Sequence, residues 1–134
     1  MKYLLLAAVL TCVSTSANAQ SEWINFAASV EGETQWAVQP GSLEFSQTQG
    51  GTVIAVVIGR ITDTKTSRID LYKWYVSVSD CNKQMGKVVT LNIDGSYQFE
   101  NDFVFGSGSI ATAMAELICG AADYRIKEAN EKSL

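Results

Sequence analysis

The sequence predicts an α+β domain: an antiparallel β-sheet of about six strands in meander-like order, with one C-terminal α-helix packed on it and tethered by a disulfide. Three observations predict this fold. Short strand-like runs alternate with turn residues from Glu22 to Phe105. An alanine-rich stretch from Ile110 onward repeats apolar residues at helical spacing. One cysteine ends the most strand-like run, and another lies in the helical stretch.

The N-terminus is typical of a secretory signal peptide. Lys2 precedes the apolar run Tyr3–Leu10, and small residues ending in Ala17–Ala19 provide a cleavage site. Cleavage after Ala19 removes 19 of 134 residues and leaves a single exported domain of 115 residues, 20–134. Cys12 raises a lipoprotein as the alternative, but the residues before it are larger than a lipobox requires. We therefore expect a periplasmic or cell-surface protein.

The first half of the mature chain is divided by turns into short strands. These are Glu22–Ser29, Thr34–Val38, Leu43–Ser46 and Thr52–Ile58. Pro40 and Gly41 mark the turn after the second, because proline presets φ and glycine permits positive φ. Thr52–Ile58 is apolar throughout, which is typical of a central strand covered on both faces. A polar loop or hairpin end, Thr62–Ser67, follows.

The most strand-like run is Ile69–Cys81, IDLYKWYVSVSDC. Alternation assigns its even positions, which are Tyr72, Trp74, Val76 and Val78, to the buried face. A strand over Met85–Asn92 follows, with Val89, Leu91 and Ile93 on one face. Asp94-Gly95 predicts a two-residue type I′ hairpin turn into a return strand that begins with Tyr97 and Phe99.

A helix is predicted to begin at Ile110 with Ser109 as its N-cap. Its apolar face contains Ile110, Met114, Leu117, Ile118 and Ala121, and Cys119 lies at the edge of that face. The charged tail Tyr124–Leu134 either frays or extends this helix.

The mature chain retains two of the three cysteines, Cys81 and Cys119. An even pair in an exported protein predicts a disulfide. The bond would close a loop of 38 residues, for which loop-closure entropy gives about 4 kcal/mol.

Charge and composition exclude several classes of function. The mature chain has 9 basic and 14 acidic residues without a basic stripe, so we expect neither nucleic acid nor anionic lipid as a partner. The N-terminal apolar run is shorter than the roughly 20 residues of a membrane span, and the mature chain has no such span. The sequence contains no histidine, which removes Ser-His-Asp and Cys-His catalysis.

Other chemical motifs are weak, and we expect no catalytic residue, metal or cofactor. Glu31 with Glu33, and Glu100 with Asp102, are candidate carboxylate pairs only because they are close in sequence. The loop Gly106–Ser109 opens a helix, as phosphate loops do, but it lacks a Walker lysine.

Four residues are candidates for protein contact. Tyr75 and Lys73 lie on the odd face of the Ile69–Cys81 run, opposite its buried face. Lys65 and Arg68 lie in and beside the preceding loop, and a solvated face is the alternative interpretation for these charges.

The order of these features resembles the surface-adhesin protein E family of small exported bacterial domains. The early Trp23, the strand ending in Asp80-Cys81 and the helix ending in Ile118-Cys119 carry the resemblance over roughly Glu22–Cys119. It implies a disulfide-tethered helix on an antiparallel sheet and, for some members, binding of host matrix and plasma proteins.

We therefore expect a non-enzymatic exported protein-binding domain, a surface adhesin-like protein that binds host or envelope proteins. A homodimer through a sheet edge is a further assembly to consider. The alternative is a periplasmic module that binds a small ligand or acts as an immunity protein or inhibitor. A pocket between helix and sheet would distinguish that alternative.

Overall fold

The computed structural model describes residues 22–132. The predicted signal peptide and Cys12 lie outside the described residues, so cleavage and export stay predictions. Within the described part, the chain forms seven strands and two helices. They are β1 Ile24–Ala28, β2 Thr34–Val38, β3 Glu44–Gln47, β4 Val53–Asp63, β5 Arg68–Ser77, α1 Val78–Lys83, β6 Met85–Asn92, β7 Tyr97–Val104 and α2 Ile110–Lys132.

The described strands form one antiparallel sheet in the order β1-β2-β4-β5-β6-β7, and β3 also pairs with β4. β2 pairs with residues 59–63 of β4, and β3 pairs with residues 53–56. The two short strands therefore share one side of the longer strand, and seven strands occupy six positions. The predicted antiparallel sheet with one C-terminal helix packed on it is confirmed.

The chain departs from β4 between β2 and β3, opposite Ile58. The Gln39 amide donates to the Ile58 carbonyl at 2.9 Å, and the Ile58 amide donates to the Ser42 hydroxyl at 3.0 Å. Pro40 and Gly41, with φ of 76° at the glycine, form the predicted turn between these contacts. Both backbone groups of Ile58 are therefore bonded although the strand ladder is interrupted.

The core lies between α2 and one face of the sheet and is centred on Trp74, which is 1% exposed. Trp74 and Val76 face this core, as alternation along β5 predicts. The Trp74 indole lies over Gly59 of β4, where an added Cβ atom would come within 2.0 Å of the ring. Glycine is required there because no side chain fits between the strand and the indole. Phe26 meets Trp74 edge to face, with ring centroids 5.8 Å apart.

The predicted strand Ile69–Cys81 is wrong at its C-terminal end. β5 ends at Ser77, and Val78–Lys83 forms α1. The Ser77 hydroxyl accepts a hydrogen bond from the Asp80 amide at 3.0 Å and so caps the helix. The apolar alternation continues past this serine in the sequence, but the cap ends the strand. Cys81 consequently lies on a helix rather than at a strand end.

The hairpin between β6 and β7 is confirmed, but its predicted type I′ turn is wrong. The Gly95 amide donates to the Asn92 carbonyl, and the Asn92 amide donates to the Ser96 carbonyl, both at 2.8 Å. Gly95 has a φ of 93°, and Asp94 is not among the residues with positive φ. This is a three-residue loop in which a type I turn precedes a left-handed glycine.

α2 begins after Ser109, whose hydroxyl accepts a hydrogen bond from the Thr112 amide at 3.0 Å, as predicted for the N-cap. The charged tail extends the helix to Lys132. The buried side is rotated from the predicted face, because Ala121 is exposed and Cys119 lies within the buried stripe. The buried residues are Thr112, Met114, Ala115, Ile118, Cys119 and Ala122.

The predicted disulfide between Cys81 and Cys119 is confirmed, with Cα atoms 5.4 Å apart. It joins α1 to α2, because the capped helix replaces the strand end that the sequence predicted. Arg125 of α2 makes a second link by donating to the Leu43 carbonyl. The two links hold α2 to α1 and to the segment directly before β3.

Candidate functional site

The face of the sheet opposite α2 is only partly exposed to solvent. We call it the open face and define it by two rows across β4, β5 and β6. The rows are Val56–Tyr75–Val89 and Ile58–Lys73–Leu91. None of these six residues belongs to the core cluster, although Val89 is buried, at 7% exposed, and the other five are half-buried. The predicted protein-contact residues Lys73 and Tyr75 therefore lie at the centre of this face.

The open face has more apolar residues than a solvent-exposed face of a sheet usually has. Ile69 and Leu71 continue it along β5 and are 55% and 46% exposed. Antiparallel strands with one solvated face usually alternate apolar and polar residues, whereas β5 carries large side chains on both faces. Core packing accounts for the even positions, and the odd positions require another explanation.

A groove of about 560 Å³ crosses the open face. Its floor includes Val56, Ile58 and Leu91, and the loop from Gln39 to Ser42 forms one wall. The two hydrogen bonds at Ile58 hold that wall in place over β4. The groove therefore combines an aliphatic floor with a wall of fixed backbone conformation.

Lys73 and Glu44 are the charged residues that line this groove. Asp94, in the β6–β7 turn, interacts electrostatically with Lys73. The pKa of Asp94 is lowered from 3.8, mainly because its carboxylate accepts hydrogen bonds from the Ser96 hydroxyl and amide, with a smaller contribution from Lys73. The groove thus carries a cation at its centre and acids at its margins.

Tyr75 lies between the groove and an acidic residue of β7. Partial burial, and then the charge of Glu100, raise the pKa of Tyr75 above its usual value of 10.0. The Tyr97 hydroxyl donates to Glu100 at 3.1 Å. Tyr75 is therefore neutral at physiological pH and presents an aromatic ring with a hydroxyl, a combination common in protein interfaces.

The candidate carboxylate pair Glu100 and Asp102 is part of a surface ion cluster. Lys87 Nζ lies 2.8 Å from Asp102 and 3.9 Å from Glu100. The pKa of Lys87 is raised, first by the hydrogen bond to Asp102 and then by the two negative charges. In the other candidate pair, Glu33 forms an ion pair with Lys65 at 2.9 Å.

The other two predicted contact residues do not lie beside Lys73. Lys65 lies in the turn between β4 and β5 and pairs with Glu33. Arg68 pairs with Asp70 at 3.1 Å and occupies an even position of β5, on the opposite side of the sheet from Lys73. The period of two along the strand already indicated this separation. A role of these residues in protein contact stays a prediction.

The loop Gly106–Ser109 is used for helix capping. The Ser107 and Ser109 hydroxyls both bond the Thr112 hydroxyl, at 2.6 and 2.9 Å. Thr112 in turn donates to the Val104 carbonyl at 3.0 Å. These bonds account for the serines that make the loop look like a phosphate site.

A cavity of about 490 Å³ lies on the other side of the sheet, beneath the N-terminal half of α2. Trp36, Trp74 and Phe99 line it together with Thr90 and Asn101. It is the kind of pocket between helix and sheet that the small-ligand alternative requires. The sequence did not single out Thr90 or Asn101, because only the packing of α2 places them beside a cavity.

Comparison with known proteins adds no family assignment. No protein-family model, no curated protein and no solved structure matches this chain. The resemblance to the surface-adhesin protein E family therefore stays a prediction.

Neither helix of residues 22–132 has the length and apolar character needed to cross a membrane. No group of three or more cysteine, histidine or acidic side chains in that range could hold a metal ion.

Proposed function

We propose that this chain is a non-enzymatic exported domain that binds a protein partner through the open face. The signal-peptide pattern at residues 1–19 and the Cys81–Cys119 disulfide support export, because disulfides persist in oxidising compartments. The absence of histidine from the sequence supports a role without Ser-His-Asp or Cys-His catalysis.

The proposal rests on the two rows of the open face, which are mostly aliphatic and have Tyr75 and Lys73 at their centre. Protein interfaces concentrate aromatic and aliphatic residues at a centre that excludes water and place charges around it. The two cross-strand rows have this composition, with Tyr75 flanked by Val56 and Val89 and with Glu44 and Asp94 at the margins. A partner that covers this surface would bury the remaining exposed parts of Tyr75, Lys73 and the neighbouring aliphatic side chains.

The resemblance stated above supports a host matrix, plasma or envelope protein as the partner. A second copy of the chain is the competing occupant of exposed apolar surface. β7 is an edge of the sheet, and its Tyr97 and Val104 are 59% and 51% exposed. Pairing along this edge would produce a homodimer without covering the centre of the open face.

Site-specific photo-cross-linking tests the proposal. A photoreactive phenylalanine replaces Tyr75 in the mature chain, and the control carries it at Tyr124, which is 71% exposed on α2. The two chains are exposed to matrix, plasma and envelope proteins, and cross-linked proteins are identified by mass spectrometry. The proposal predicts a partner that cross-links from position 75 and not from position 124.

The affinity of an identified partner provides the second measurement. Replacing Tyr75 with alanine should weaken binding about tenfold or more if the tyrosine is an interface anchor, whereas Tyr124→Ala should not change it. Equal cross-linking from both positions, or equal affinity of both variants, would contradict docking on the open face. If the chain forms a dimer that is lost on substitution of Val104 but kept in Tyr75→Ala, pairing along the β7 edge is the interaction instead.

A further inference from the structure

The cavity beneath α2 has an aromatic lining that is unusual for a gap in packing. Its volume of about 490 Å³ is in the range of small-molecule sites. Trp74 forms part of its inner surface and is 1% exposed, whereas Phe99 is 43% exposed. Trp36 completes an aromatic surface drawn from β2, β5 and β7. Aromatic side chains from three strands suit an aromatic ligand.

Thr90 provides a polar group inside this aromatic site. The residue is 3% exposed and lines the cavity, yet its hydroxyl forms no hydrogen bond within the described part of the chain. The hydroxyl of Thr112, the other buried threonine, is bonded to Ser107, Ser109 and the Val104 carbonyl. Arg60 Nε, and not the Thr90 oxygen, is the buried side-chain polar atom without a hydrogen-bond partner among the described residues. The unbonded Thr90 hydroxyl is therefore accessible from the cavity and can bond a molecule there.

The charges around the cavity indicate an uncharged ligand. No lysine or arginine of residues 22–132 lines it, and the Asp102 carboxylate on its lining is already bonded to Lys87 at 2.8 Å. Asn101 is exposed on the same lining, and its side-chain amide forms no hydrogen bond among the described residues. The available polar groups are therefore one hydroxyl inside and one neutral amide nearer to solvent.

We infer that this cavity binds a small, uncharged aromatic molecule that carries a hydroxyl group, with the ring against Trp36 and Phe99 and the hydroxyl bonded to Thr90. The site is independent of the proposed protein docking, because the cavity and the open face lie on opposite sides of the sheet. Each proposal can fail without the other.

A titration with paired probes tests this inference. The oxidised mature chain is labelled with ¹⁵N and titrated with 1-naphthol and with naphthalene, which differ by the hydroxyl group. We expect saturable shifts of the amide signals around the cavity, including those of Thr90 and Ala111. Thr90→Val keeps the side-chain shape and removes the hydroxyl, so 1-naphthol should bind about three- to tenfold more weakly, and naphthalene should bind unchanged.

A second variant tests the location of the ligand without changing Thr90. Ala111 lines the cavity from α2, and Ala111→Phe should fill it and abolish binding of both probes. Ala121 is exposed on the same helix, and Ala121→Phe is the matched control that should bind both probes normally. The inference is overturned if neither probe saturates the site, if Ala111→Phe leaves binding intact, or if Thr90→Val weakens both probes equally.

Discussion

Removing the disulfide should cost a large share of the stability of this domain. The double variant Cys81→Ala/Cys119→Ala deletes the link between α1 and α2. Alanine is chosen because Cys119 is 7% exposed, and a serine hydroxyl would be left unpaired there. The variant should still fold at low temperature, since the sheet does not contain the bond and Cys119 is one of many residues in the core around Trp74.

The expected loss follows from the length of the closed loop. The bonded cysteines are separated by 38 residues, and the loop-closure entropy removed from the unfolded chain corresponds to about 4 kcal/mol. For a small domain, each molar of urea lowers the free energy of unfolding by about 1.5 kcal/mol. The unfolding midpoint should therefore fall by roughly 2 to 3 M urea.

The assay is equilibrium urea unfolding of the oxidised mature chain, the double variant and the wild-type chain reduced with dithiothreitol. The reduced chain controls for the alanine side chains and should unfold near the double variant. A midpoint shift below about 0.5 M would refute the loop-entropy argument. Amide exchange provides a local check, because the amides of α2 should lose more protection than those of β4 and β5.

Three further predictions concern single positions. Gly59→Ala should destabilise the domain by about 1–3 kcal/mol, because the new Cβ would lie 2.0 Å from the Trp74 ring. Thermal unfolding measures this loss. The control is Gly120→Ala, which should be neutral or stabilising because nothing lies within 4 Å of the added Cβ. Ser109→Ala should cost about 0.5–2 kcal/mol through loss of the α2 N-cap, and a change below about 0.3 kcal/mol in urea unfolding would contradict the capping role. The raised pKa of Tyr75 contributes stability that is present below pH 10.0 and is lost as pH rises through its folded-state pKa. Tyr75→Phe should therefore reduce the fall in unfolding free energy at alkaline pH. An unchanged dependence of the unfolding free energy on pH would contradict this prediction.

The parts of the fold that follow from local rules could be predicted from the sequence. Alternation along β5 correctly assigned Trp74 and Val76 to the core, because a covered strand face repeats every second residue. Two cysteines in the mature chain left a single intramolecular pairing. Ser109 was recognisable as a cap because it precedes a helical apolar pattern directly.

The errors arose where one hydrogen bond outweighed a pattern. Val78 continues the alternation of β5, but the bond between the Ser77 hydroxyl and the Asp80 amide starts a helix instead. Asp94-Gly95 matches a two-residue turn, yet only the glycine takes a positive φ. In both cases the apolar period is compatible with two structures, and a polar side chain decides between them.

The candidate sites could be predicted only in part. Lys73 and Tyr75 were assigned to the face opposite Trp74, and the structure places them on the open face. The cavity could not be predicted, because it depends on how far the first turns of α2 lie from the sheet. Its lining comes from separate parts of the chain, such as Trp36 in β2 and Thr90 in β6, and no sequence pattern connects them.

The position of Cys119 in the last element has a consequence for the order of oxidative maturation. If the chain is exported from its N-terminus, as we propose, Cys81 emerges first and α2 follows only after the hairpin of β6 and β7. β4 and β5 are joined by a short turn and could pair before α2 emerges. The Cys81 thiol would then be open to thiol–disulfide exchange until Cys119, 38 residues later, is available.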